Sequence, residues 1–125
     1  MGLQVVEAII NDDRLGSYQH NRRRITLDER LNNNQKRVTL QHEIIHAEHW
    51  RDGIAQLMGH DVEEQKTWRE TALRLIDPQE YANAEETYDA CPYKIADELG
   101  VTVNLVRDYR KILEGMAEPY KIIQR

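Results

Sequence analysis

His42 and His46 stand four residues apart with Glu43 beside the first of them, in the run His42-Glu43-Ile44-Ile45-His46. On an α-helix, residues four apart lie one turn above each other, so both imidazoles can reach one metal ion from the same face. Glu43 projects about 100° round from His42, to the side of that pair rather than onto the ion. From there it can hold a water molecule and take its proton. The spacing predicts metal-assisted hydrolysis, with His42 and His46 as zinc ligands and Glu43 as the catalytic acid/base.

A hydrolytic zinc site needs a third protein ligand and keeps its fourth position open. Four residues compete for the role. His49 shares the helix face but lies roughly 10 Å along the axis from His42, too far for three imidazoles on one straight helix to converge. Asp52 would suit only if the helix ended near His49, whereas the pattern runs on to Gly53. Glu63 and Glu64 open the next helix. Glu64 falls with Trp68, Thr71, Ala72 and Leu75, an apolar side expected to pack inward. Glu63 falls with Thr67, Glu70 and Arg74, a side that reads as solvent-facing. A carboxylate on an inward face is costly unless a cation binds it. The expected metal set is therefore His42, His46 and Glu64.

These side chains need a scaffold. Residues up to about 30 read as strands: Val5, Val6, Ile9 and Ile10 open a β-prone stretch that could also be a short helix. Leu15–Gln19 and Arg24–Asp28 flank a tight turn at His20-Asn21. Ile25 and Leu27 alternate with Arg24, Thr26 and Asp28, which predicts one buried face. From about Asn34 the period becomes helical, with an Asn cap at the start and Gly53 at the end. A second helix is expected over about Asp61–Ile76. Asp77-Pro78 stops it and starts the next, with Asp77 as cap and Glu80 three residues on. Cys91-Pro92 marks a further break. Two short helices follow, joined at Leu99-Gly100-Val101-Thr102, the last ending near Leu113. Strands first and helices after imply an α+β fold with a small antiparallel sheet.

Composition narrows the partners. The chain has 125 residues, the size of one domain, with 22 acidic against 17 basic residues. That balance is unsuited to neutralising phosphates, so direct nucleic-acid binding is not expected. The single cysteine, Cys91, rules out an intramolecular disulfide and a multi-cysteine zinc knuckle, and fits a reducing compartment. Leu3–Ile10 is too short and too interrupted to span a membrane or act as a signal peptide. A cytoplasmic setting without a membrane partner is the expectation.

The run Thr39-Leu40-Gln41-His42-Glu43-Ile44-Ile45-His46-Ala47-Glu48-His49, then Glu64 and Thr71-Ala72-Leu73-Arg74-Leu75-Ile76, resembles the ImmA/IrrE metallo-endopeptidases, in particular the short forms of actinobacteria and their phages. The likeness extends from about Gly16 to about Arg110. It implies a zincin-like fold, Zn2+ held by His42, His46 and Glu64, and Glu43 as acid/base. It also implies a protein substrate, typically a helix-turn-helix (XRE-like) repressor whose cleavage relieves repression. Two departures stand out. Thr67-Trp68 replaces the Ala or Val followed by Asp or Asn of many members, which removes a residue expected to support a ligand. Asp77 precedes Pro78 where a hydrophobic residue is common.

A rival reading comes from Ile95–Val106, a helix-turn-helix-like pair within about 92–113, in which Asn104, Arg107, Arg110 and Lys111 could face DNA. Asp97, Glu98 and Asp108 interrupt it, and similar helix pairs occur inside the peptidases it resembles. A third reading keeps the zinc but not the catalysis, as an antirepressor module. Arg22-Arg23-Arg24 reads as a solvated basic run, and Trp50 and Trp68 as partly buried packing residues. Leu15–Gln19 could be a sheet edge onto which a substrate strand adds.

Overall fold

The computed structural model describes residues 2–117. Strands β1 (Gln4–Ala8), β2 (Gly16–Gln19) and β3 (Arg24–Asp28) precede helices α1 (Asn33–Arg51), α2 (Ile54–Leu57), α3 (His60–Leu75), α4 (Pro78–Thr87), α5 (Pro92–Leu99) and α6 (Val103–Ala117). This is the expected α+β order, a small sheet followed by a mostly helical half. No helix among the described residues is long and apolar enough to cross a membrane.

The sheet is mixed rather than wholly antiparallel. Its order is β1-β3-β2, with β2 antiparallel to β3 and β1 parallel to it. Asp28 explains the parallel pairing, because it ties the C-terminal ends of β1 and β3 together. Its buried carboxylate accepts from the Ile10 N–H at 3.3 Å and from the Arg30 backbone at 2.9 Å and guanidinium at 2.6 Å. Arg30 in turn donates to the Ile10 carbonyl at 3.0 Å. The connection from β2 to β3 is also longer than a two-residue turn. A 3-10 turn covers His20–Arg22, and Arg23 follows in the left-handed region at φ 49°.

Helix boundaries follow their local chemistry. Asn32 caps α1 by accepting from the Gln35 N–H, while the Gln35 side chain accepts from the Asn32 N–H; this reciprocal pair satisfies two otherwise orphaned donors. Asp77 accepts from the N–H groups of Gln79 and Glu80 at 3.1 and 3.0 Å, with Pro78 in the first helical position. α6 continues past Leu113 through Gly115 to Ala117, since one glycine weakens a helix by only about 1 kcal/mol relative to alanine.

The main core lies among the helices: Val38 of α1, Ala72 of α3 and Ile76 just after it, Tyr81 and Ala84 of α4, Ile95 and Ala96 of α5, and Leu105, Val106 and Tyr109 of α6. Gly100 ends α5 at φ 68°, a backbone state that favours glycine. Arg37 of α1 donates to the Leu99 and Gly100 carbonyls at 2.8 and 2.9 Å, tying this distant turn to α1. On the other side of α1, β3 buries Ile25 and Leu27. Gly16 brings β2 close: a Cβ there would lie 2.6 Å from Thr39 Cγ2 and 3.1 Å from the Thr26 carbonyl. Glycine is thus what lets the edge strand lie against α1.

Candidate metal centre

α1 breaks the usual rule that polar residues face water. Thr39, His42, Glu43 and His49 are all buried along it. Across the interface α3 answers in kind, with Glu63, Thr67 and Thr71 buried. Buried polar groups persist only when paired, and here two polar stripes pair with each other.

At the outer end of this interface three side chains converge. His42 Nε2 and His46 Nε2 lie 3.1 Å apart. Glu64 reaches both, with Oε1 2.7 Å from His42 Nε2 and Oε2 3.1 Å from His46 Nε2. Metal–ligand bonds of about 2.0–2.1 Å in a tetrahedron place donor atoms about 3.3 Å from one another. The 3.1 Å between the imidazole nitrogens is close to that edge, while Glu64 meets the two rings with different oxygens, at 2.7 and 3.1 Å. Two imidazole nitrogens and a carboxylate thus converge on one point, a donor set of the kind that holds a divalent cation, and these residues fit one.

Glu64 arrives from the rim rather than from an apolar face. Its side chain is 34% exposed, and Trp68, on the same side of α3, is 36% exposed. Glu63 is the buried member of the pair, at 6%, which reverses the solvent-facing reading of its helix side. Its Oε2 accepts from His46 Nδ1 at 2.8 Å, His49 Nδ1 at 2.5 Å and Thr67 Oγ1 at 2.7 Å. His49 therefore lies behind the site rather than in it, its Nε2 2.7 Å from Glu70 Oε2. Asp52 is turned to solvent and paired with Arg51.

The carboxylates differ in charge environment. Hydrogen bonds from His42 and His46 hold Glu64 well below the usual carboxylate range, against the pull of partial burial. Glu43 goes the other way. Burial pushes its carboxyl up, and the charges of His42 and His46 only partly oppose this. Its Oε2 has no hydrogen-bond partner among the described residues, and neither has His42 Nδ1. For His46, burial favours the neutral ring, but the hydrogen bond to Glu64 and the charges of Glu43, Glu63 and Glu64 outweigh it, and its pKa is raised.

A cleft of about 470 Å³ opens onto His42, Glu43, His46 and Glu64. Leu15, Gly16, Ser17 and Tyr18 form one wall, and Trp50, His60 and Trp68 stand at other sides. Trp68 lies against His42 with ring centroids 4.0 Å apart, and Trp50 stacks on His20 at 5.1 Å. The arrangement can hold a cation, a water molecule beside Glu43 and an extended chain along β2.

The helix-turn-helix-like pair is present as α5 and α6, but its basic residues are partly committed. Arg110 donates to the Tyr81 hydroxyl at 2.8 Å and the Ala90 carbonyl at 2.6 Å. Arg107 lies over the Tyr93 ring at 5.7 Å. The helices are walls of the main core.

Sequence reasoning missed the buried group Glu63, His49 and Thr67, with the half-buried Glu70 at its edge. The available signal was a spacing: His46 and His49 three apart on α1 meet Glu63, Thr67 and Glu70 on one side of α3. A search of the curated proteins finds no match to the chain. A family model described as the IrrE N-terminal-like domain, of the peptidases, matches residues 2–108.

Proposed function

Because the chain belongs to the peptidase family of the IrrE N-terminal-like domain, we propose that it is a zinc-dependent endopeptidase with His42, His46 and Glu64 as ligands. The observation that carries this reading is the meeting of both Nε2 atoms with both oxygens of Glu64. A zinc ion bound there would supply Lewis acidity, polarising a carbonyl and acidifying water toward a pKa of ~7.

The chain's own residues perform the remaining tasks. Glu43 takes the proton of the attacking water on its carboxylate and delivers it to the leaving amine nitrogen. Its burial suits this, because a carboxyl with raised proton affinity is a better acceptor and a competent donor afterwards. β2 is an edge strand of the sheet and a wall of the cleft. A substrate segment added to it would gain main-chain hydrogen bonds there, with side-chain choice left to the cleft walls. The proposed substrate is a helix-turn-helix repressor in the cytoplasm of a bacterium or phage-infected host, a choice that family likeness supports.

Metal analysis of the purified chain tests the site, and cleavage of a helix-turn-helix repressor, if one is encoded beside the gene, tests the activity. We expect zinc in the wild type and its loss in His46→Ala. Glu43→Gln is expected to keep zinc and lower cleavage by about 10²–10⁴-fold, the usual size of a general acid–base contribution. Full biological activity in Glu43→Gln would instead establish a non-catalytic antirepressor.

A further inference from the structure

The two proposed imidazole ligands are supported unequally. His42 has a buried Nδ1 without a partner among the described residues, and the Trp68 ring lies against its ring. His46 has its Nδ1 2.8 Å from Glu63 Oε2. That oxygen is approached in turn by Thr67 Oγ1, whose one proton is shared between it and the Glu63 carbonyl, each at 2.7 Å, and by His49 Nδ1. His49 is anchored by Glu70, and Glu70 by Lys66 at 3.0 Å. Acidic and basic groups alternate along this chain, which runs from the ligand pair back through the α1–α3 interface.

We propose that Glu63 is the positioning residue of this site: it holds the proton on His46 Nδ1, so that the Nε2 lone pair faces the cation. A ring nitrogen that donates to a carboxylate fixes both the tautomer and the ring plane, and strengthens the opposite nitrogen as a ligand. The residue at 68, one turn beyond Glu64, cannot do this, because it is Trp rather than a carboxylate or amide. Glu63 does it from the other side of Glu64, with Thr67 completing the acceptor's shell. His46, His49 and Glu63 also have the makings of a second metal cluster. Oxygen geometry argues for anchoring instead, since Glu63 Oε2 already accepts from three donors and His46 directs its other nitrogen at Glu64.

The inference rests on the zinc reading, and its test keeps the two apart. The first measurement is the His46 ring resonance of 15N-labelled wild-type protein without metal. A downfield, exchange-protected Nδ1–H proton is expected; an Nδ1 without a proton would overturn the proposal whether or not zinc binds. The second is zinc affinity by chelator competition. Glu63→Ala, which leaves no acceptor for His46 Nδ1, is expected to raise the zinc Kd about 10- to 100-fold and to lose the protected resonance. Thr71→Ala removes a neighbouring buried hydroxyl that does not touch His46. It is expected to lower Tm and leave the zinc Kd unchanged. Unchanged Kd and resonance in Glu63→Ala, or two zinc ions per wild-type chain, would refute the positioning role. A wild type that binds no zinc defeats the metallopeptidase reading, while the resonance still judges Glu63.

Discussion

Adjacent carboxylates in this protein do different work because their surroundings differ. Glu43 is buried without a donor to satisfy one oxygen, Glu64 bridges two imidazoles at a rim, and Glu63 is enclosed by three donors. Burial raises the proton affinity of each, and at Glu63 and Glu64 the hydrogen-bond donors, with the charges of the nearby imidazoles, reverse it. Trp68 adds a contact of another kind, a ring against a ring. Aromatic pairs contribute about 0.5–1.5 kcal/mol. Trp68→Ala is therefore expected to raise the zinc Kd about 2- to 10-fold, read by chelator competition, with a small change in Tm because the side chain is half-exposed.

Among the elements, the sheet is held at two points that can each be tested. A methyl at position 16 would run into Thr39 Cγ2, and overpacking of this sort costs about 1–3 kcal/mol. Gly16→Ala should lower stability by that amount in denaturant titrations. Thr39→Ser, which removes the clashing methyl, should recover part of the loss; failure to recover any would mean that β2 is not set by this contact. Asp28 is the second point. Hydrogen bonds from the Arg30 side chain and backbone, and from the Ile10 N–H, hold its carboxyl well below the unfolded value near 3.9. A depressed folded pKa stabilises the protein above the unfolded pKa. That contribution is lost as pH falls from about 4 through the folded value. Asp28→Asn should thus flatten the acid limb of the stability curve below about pH 4, measured as Tm against pH.

At the scale of the molecule, α1 is shared. One side carries the ligand pair and faces α3, while Arg37 and Val38 reach the α5–α6 turn and the main core. The site and the core should then melt together. Leu105→Ala, at a fully buried position, is expected to cost about 2–5 kcal/mol, a large part of a typical total of 5–15. Tryptophan fluorescence, from Trp50 and Trp68 beside the cleft, and far-UV circular dichroism should report one coincident transition. Separate midpoints would show that the sheet-and-site portion and the helical half are independent units.

The residues themselves determined the motif helix, its cap, the breaks at Asp77-Pro78 and Cys91-Pro92, and the αL turn at Gly100, because these are local: each depends on backbone geometry within a few residues. That Glu64 lies beside the His pair was also legible, although its side chain reaches them from a partly exposed rim rather than from an apolar face. Hydropathy cannot tell a polar stripe that meets water from one that meets another polar stripe, so Glu63 and Thr67 read as solvated. Only the packing of α3 on α1 settled that they are buried and bonded. The parallel β1–β3 pairing was hidden for the same reason: it depends on Asp28 reaching back to Ile10, eighteen residues away, and no local period records such a contact.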